Sequence, residues 1–307
     1  MVAGDPRPSI TIAGTTSHFL DPSPDDGPLA GRLRYLMGGS GSPVLLLHTV
    51  RTQAEHFHRL IPFLLRHHTV YALDLRGMGH SDIVPGASYD EPAMRAGVRR
   101  LLMHLDLREV TVVGESMGAV LALTAAAESA GRVRRVVAIN PYDYAGGILR
   151  SGVLARGIIS AILAPVIGPR FATVEPKPVM RAILRGGLVD DSALTNEYLD
   201  ELLAVGKRPG YASVARAVYG ALPSLVAARS VYPRVTVPVN LVYGEHDWSR
   251  ASDRDANNRA LPGAEFVQIP DAGHFLSLEK PAVIAALLDR SAVGRITRRV
   301  GEPSGVE

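Results

Sequence analysis

The chain has 307 residues, 47% hydrophobic and 21% charged, which suits one large domain or a core domain with an insertion and excludes disorder, collagen and coiled coil as overall descriptions. It contains no cysteine, so disulfides, cysteine-ligated zinc, iron–sulfur clusters and a cysteine nucleophile are all excluded. The 33 Lys+Arg against 30 Asp+Glu leave a net charge of only +3, gathered into no basic run, and no nucleic-acid partner is expected.

The first ten residues carry no cationic start followed by an apolar core, so no secretory signal is expected and the reading is cytoplasmic. Residues 9–14 and 32–37 read as early strands, separated by the loop D-P-S-P-D-D-G-P at 21–28. Residues 44–47 form a continuous apolar run ending at His48, as a buried central strand should. An amphipathic helix is expected over 52–67 and a strand over 69–75, which runs into the glycine-rich loop D-L-R-G-M-G-H-S-D (74–82). A helix over 91–105, an apolar strand over 110–113 and an alanine-rich helix over 117–130 follow. The next strand, 133–139, is stopped by Asn140-Pro141.

From 142 to 232 the pattern is helical, with no convincing strand. Strand rhythm resumes at 237–243, followed by a helix at 253–260, a strand at 265–269 and a last helix at 281–288. Strands alternating with helices predict an α/β fold with a mostly parallel central sheet. The expected organisation is a core of 1–141 and 233–307 with a helical cap, or lid, inserted at 142–232. The longest apolar stretch, 151–169, holds Arg156, three glycines and two prolines, so no transmembrane segment is expected. The tail from 295 to 307 is polar and expected to fray.

The sharpest motif is V-V-G-E-S-M-G-A, residues 112–119. A G-x-S-x-G string alone is weak, with roughly 0.2 chance occurrences in a chain of this composition. Its setting adds weight, because four apolar β-formers precede Gly114 and a strong helix former follows Gly118. A strand turning sharply into a helix at Ser116 needs small residues two before and two after it, and both are glycine. Such a turn exposes the serine Oγ at a helix N-terminus. The Met117 N–H points into the same space, as one donor of an oxyanion hole. The plainer alternative is an ordinary strand–helix turn with a surface serine.

A serine needs a base. Of the ten histidines, His274 in D-A-G-H-F follows the last strand, where open α/β folds place ligands. His56 and His58 lie two apart on one expected helix and make a poor metal pair, and no metal site is predicted. Asp247, in L-V-Y-G-E-H-D-W, follows another strand end and is the favoured acid, ahead of Glu245 and Asp143.

These segments together resemble the α/β-hydrolase fold superfamily over about residues 30–140 and 235–290. The order Ser116, Asp247, His274 is that superfamily's chain order for a catalytic triad. The 74–82 loop resembles the one after its fourth strand, and L-L-L-H-T-V resembles the loop that introduces its oxyanion residue. By that position Val50 N–H is the second oxyanion donor beside Met117. This chain has His48-Thr49 where the superfamily has His-Gly, so either the loop is ordinary there or the hole is reshaped. Arg51, beside it, is expected in solvent, with contact to a substrate carboxylate as the alternative. Epoxide hydrolases and haloalkane dehalogenases carry an aspartate at the elbow, and Ser116 argues against both.

The resemblance implies a serine hydrolase acting on a small-molecule ester, lactone or thioester through an acyl-serine intermediate, without metal or organic cofactor. The aliphatic stretch 148–167 suits a lipophilic acyl group, or serves only to dock the cap. Carbon–carbon bond hydrolysis of the meta-cleavage type, a biosynthetic thioesterase or acyltransferase, and a non-catalytic ligand-binding member of the fold remain as alternatives. A homodimer and membrane-surface contact by the cap both stay open.

Overall fold

The computed structural model describes residues 12–289 apart from 28, 130, 151, 167 and 172–175. Among these residues eight strands form one sheet: β1 (Thr15–Leu20), β2 (Leu33–Gly39), β3 (Ser42–Leu47), β4 (His68–Leu73), β5 (Val110–Glu115), β6 (Val133–Ile139), β7 (Val239–Gly244) and β8 (Glu265–Ile269). The helices are α1 (Ile61–Leu64), α2 (Glu91–His104), α3 (Met117–Glu128), α4 (Val153–Leu163), α5 (Gly168–Phe171), α6 (Lys177–Arg185), α7 (Asn196–Gly206), α8 (Tyr211–Ala227), α9 (Ala251–Ala260), α10 (Leu276–Glu279) and α11 (Pro281–Asp289). The spatial order is β1-β2-β4-β3-β5-β6-β7-β8. β2 runs antiparallel to β1 and β4, and β3 to β8 are parallel. The expected α/β class with a mostly parallel sheet flanked by helices is the observed one.

The sheet is covered on both sides, which is why its central strands are apolar throughout rather than alternating. The period of two survives in where each side chain packs. Leu45, Leu47 and Val112 join the core that holds α2 and α3, while Val44, Leu46 and Val113 join the one that holds α1 and α11. α3 has almost no polar face because it has almost no exposed side: every residue from Met117 to Ala126 is buried. α2 starts where the Asp90 carboxylate accepts the Ala93 N–H at 3.0 Å, with proline in its first turn.

The chain winds from β3 outward to β4, then returns across to β5 and proceeds the other way. The carboxyl ends of β3 and β5 therefore flank the point where the order reverses, and a crevice opens there. His48 and Ser116 follow those two ends.

Two sequence expectations shift. The first strand lies at Thr15–Leu20, after a turn in which Gly14 has φ 81°, while residues 9–11 lie outside the described residues. The segment 52–67 is a short 3-10 turn (Ala54–Phe57) and the four-residue α1, because Pro62 has no N–H to continue a helix and stands in α1's first turn. Among the described residues no strand lies between β6 and β7, where α4 to α8 and three 3-10 turns fall. No described helix is long and apolar enough to cross a membrane. The frayed-tail expectation for 295–307 lies outside the described residues.

Behind the crevice the 74–82 loop is organised by one carboxylate. Asp74 is fully buried, accepts the Ala54 and His80 N–H groups at 2.7 and 2.8 Å, and pairs with the buried Arg34 at 3.2 Å. Arg34 also binds Glu55 at 2.7 Å. A Cβ on Gly79 (φ 53°) would stand 2.3 Å from the Asp74 carboxylate, so only glycine fits there.

Candidate active site

Ser116 sits at the turn from β5 into α3 with φ 60° and ψ −114°. A non-glycine residue holds that conformation only when its surroundings impose it. Here the Ser116 N–H donates to Ile139 O at 2.8 Å, and its carbonyl accepts the Tyr142 N–H at 3.2 Å. The flanking glycines are required by space. A Cβ on Gly114 would lie 2.0 Å from Gly118 O, and one on Gly118 would lie 2.0 Å from Leu47 O.

The structure brings the three distant residues together. The His274 Nε2 lies 2.9 Å from Ser116 Oγ, and Nδ1 lies 2.5 Å from Asp247 Oδ1. A carboxylate can only accept, so Nδ1 carries the imidazole proton and Nε2 is left to accept from the serine hydroxyl. His274 and the Asp247 side chain are fully buried. Burial alone would push the Asp247 carboxyl up. The His274 ring and the Ser249 side-chain and backbone donors outweigh it and hold it below the ordinary aspartate value.

The rival acids are occupied elsewhere. Asp143 accepts from Arg229 at 3.0 Å, Tyr232 OH at 2.8 Å and Asn257 at 3.1 Å, so it ties α9 to the chain preceding β7. Glu245 is exposed and accepts the Asp271 N–H at 3.1 Å. Among the described residues, Glu245, His246 and Asp271, all exposed, are the one group of three or more His, Asp or Glu side chains with ligand atoms within 4.8 Å of one another.

The loop after β3 is fixed by His48. The Leu75 N–H donates to its Nε2 at 2.9 Å, so Nδ1 carries the proton and meets Thr49 O at 2.8 Å. Burial pushes the His48 imidazole down to about 4, which keeps it neutral in this role. Thr49 has an ordinary backbone. The left-handed conformation falls two residues later, at Arg51 with φ 56°. The threonine is therefore asked for no conformation that would favour glycine. Thr49, Val50, Arg51 and Ser116 all line one cavity of about 340 Å³.

Arg51 corrects an expectation. Its guanidinium is not in solvent but lies 5.9 and 5.6 Å from the ring centres of Tyr211 and Tyr219 on α8, on the cavity wall. Trp248 and Phe275 also line it, and most of the remaining wall is aliphatic. Ile158 and Ile162 come from α4, Val179, Met180 and Ile183 from α6, and Leu202 from α7. The 148–167 stretch thus supplies side chains to the cavity as well as to packing. His56 and His58 both meet Tyr198 of α7, one by a 2.8 Å hydrogen bond and one by ring stacking at 5.3 Å.

Three contributors were not singled out from sequence. Asn140, with φ 46°, donates to His274 O at 2.8 Å and accepts the Gly244 N–H at 3.0 Å. Glu115, just before Ser116, is bound by His56 Nε2 and accepts the Ser277 N–H at 3.0 Å, joining the elbow to the His274 loop. Trp248 lies flat on the His274 ring. The available signals were an asparagine closing a strand and a tryptophan abutting the candidate acid.

The alpha/beta hydrolase family model matches residues 44–287. The chain therefore belongs to the alpha/beta hydrolase family. It is 28% identical over 279 residues to the 2-(acetamidomethylene)succinate hydrolase of Mesorhizobium japonicum, covering 87% of this chain and 93% of that protein. It is 26% identical over 265 residues to a soluble epoxide hydrolase of a Corynebacterium species, covering 82% and 91%. Its fold is similar to that of wild-type Cfl2 from Burkholderia cenocepacia, with a TM-score of 0.76, 20% identity, and 91% and 96% of the two chains covered.

Proposed function

We propose that this chain is a serine hydrolase that cleaves a carboxylic ester, lactone or thioester through an acyl-serine intermediate. The observation that carries the reading is the unbroken hydrogen-bonded string Ser116–His274–Asp247 at the cavity. Ser116 Oγ attacks the substrate carbonyl carbon while His274 Nε2 takes the hydroxyl proton. Asp247 holds the imidazole and stabilises its charged form. The N–H groups of Met117 and Val50 receive the tetrahedral oxyanion, each contributing about 3 kcal/mol. Collapse breaks the bond to the leaving group, which takes the proton from His274. Water then repeats the sequence on the acyl-serine and restores the hydroxyl.

Residues 142–232 act as a cap over the remaining domain. The aliphatic wall from α4 and α6 suits a lipophilic acyl group, because few polar groups there could replace lost water. Ser116 stands where epoxide hydrolases and haloalkane dehalogenases carry aspartate, so similarity to such proteins does not bring their covalent chemistry here. A second reading is favoured by Arg51 on the cavity wall: the substrate carries a carboxylate, as in carbon–carbon bond hydrolysis of a keto acid. The name of the Mesorhizobium relative, a hydrolase of a substituted succinate, is in keeping with that substrate type.

The test is steady-state hydrolysis of p-nitrophenyl esters from acetate to dodecanoate. The expected result is turnover favouring acyl chains longer than acetate, with Ser116→Ala and His274→Ala each reducing kcat by at least about 10³ while remaining folded. Retention of most activity by Ser116→Ala would show that the mechanism is wrong.

A further inference from the structure

Trp248 is the only tryptophan in the chain and follows Asp247 directly. Its ring lies 3.8 Å from the His274 ring, centre to centre, with 14° between the planes. His274 is therefore bounded in its plane by Ser116 and Asp247 and covered on one face by an aromatic surface. Trp248 is itself held by the turn after α6. The indole Nε1–H donates to Gly186 O at 2.8 Å, and the His274 N–H donates to Gly187 O at 2.7 Å. That close approach needs glycine. A Cβ on Gly187 would lie 2.6 Å from the Phe275 ring and 2.9 Å from the Trp248 ring. Phe275 meets the indole edge-on at 5.8 Å.

We propose that Trp248 is a positioning residue for the base: pinned by the Gly186 carbonyl of the cap, its indole holds the His274 ring in line and stabilises the imidazolium that forms in each half-reaction. Tryptophan has the strongest π-face for a cation, and a stacked position lets it act on charge without competing for either ring nitrogen. The attraction is absent when the imidazole is neutral and present when it is protonated, which is the differential that accelerates a step. The proposal rests on the serine-hydrolase reading for its catalytic consequence. The stacking itself is a property of the resting protein.

Several charged and polar groups stand around His274 and the indole. Asp247 and the Ser116 hydroxyl contact the ring directly. Glu279 accepts the N–H of the preceding Gly273 at 2.7 Å. The Tyr144 phenol feels the Asp247 charge, and Arg150 donates to Trp248 O at 3.2 Å while pairing with Asp253 at 2.6 Å. From the turn after α6 the Gly186 carbonyl accepts from the indole and the Gly187 carbonyl from the His274 N–H.

The first arm reads the resting protein. A protonated imidazole stacked on indole quenches its emission, so Trp248 fluorescence should fall as pH is lowered and should lose that transition in His274→Gln. The second arm follows the pH profile of kcat/KM on a p-nitrophenyl ester for wild type, Trp248→Phe and Trp248→Leu. The leucine variant is expected to lose about 2- to 30-fold in plateau kcat with a smaller change in KM. Its acid limb should move to lower pH, since the protonated form has lost a stabilising partner. Trp248→Phe, which keeps an aromatic face, should recover most of both. A role in packing alone would lower the plateau and leave the acid limb in place, and that result would overturn the proposal. A fluorescence transition that persists unchanged in His274→Gln would also overturn it, with or without activity. Absence of turnover in wild type beside a His274-dependent fluorescence transition would defeat the hydrolase reading and leave the stacking intact.

Discussion

Asn140 holds the carbonyl oxygen of His274 at 2.8 Å, and with its other amide atom it holds the Gly244 N–H at 3.0 Å. One side chain thus binds the end of β7, which leads to Asp247, to the loop that carries the base. Its own N–H donates to Val242 O at 2.8 Å, and its φ of 46° is a conformation that asparagine tolerates better than most residues. Asn140→Ala leaves buried polar groups without this partner, at about 1–3 kcal/mol for each group that finds no replacement. The expected outcome is a urea midpoint lowered accordingly and kcat/KM reduced more than tenfold. An unchanged kcat/KM would mean that the His274 loop holds its place unaided.

Gly118→Ala sets two effects against each other. Alanine is the better helix former by about 1 kcal/mol. The new Cβ would meet backbone oxygens of Leu47 and His48 at 2.0 and 2.7 Å, and neither can swing aside as a side chain could. Overpacking of this kind costs about 3 kcal/mol or more, so sterics win. The variant should unfold at lower urea and lose activity, because β3 and the Val50 loop must retreat from the elbow. A stabilised, active Gly118→Ala protein would contradict the close approach described above.

Asp247→Asn separates charge from shape. The carboxyl of Asp247 lies below its ordinary value, so its contribution to folding is fully present above the unfolded aspartate value of about 3.9 and is lost as pH falls through the lower folded value. Urea midpoints of wild type and Asp247→Asn should differ most at neutral pH and converge below about pH 4. At neutral pH kcat should fall by about 10⁴, the size expected when a buried aspartate no longer sets the histidine tautomer. A stability gap that widened towards acid would show that the burial penalty, not the pairing with His274, dominates at this carboxylate.

Much of this arrangement was legible in the residues because it is written in local requirements. The strand at Val133–Ile139 has the bounds the sequence predicts, since a valine- and isoleucine-rich run and Asn140-Pro141 both mark it. The Gly114 and Gly118 pair announced the elbow because nothing larger fits. What stayed hidden depends on residues distant in sequence. Arg51 finds Tyr211 and Tyr219 some 160 residues later, and no periodicity near Arg51 says so. Asn140 closes a strand by its conformation, yet its amide serves His274 across 134 residues. The expected helix over 52–67 gives way to shorter pieces because Pro62 cannot continue it, and because the buried Glu55 and His56 answer to Arg34 and Glu115, not to helical propensity.

The account stands on a nucleophilic hydroxyl at Ser116 activated by His274. Its most direct test is the intact mass of the folded protein after exposure to a fluorophosphonate at neutral pH, followed by mapping of the modified peptide. One phosphonyl adduct on Ser116 is expected in the wild type, none at that residue in Ser116→Ala, and labelling slowed at least about 10³-fold in His274→Ala. A folded wild-type protein that takes no adduct, or a His274→Ala protein labelled at Ser116 as fast as wild type, would contradict it.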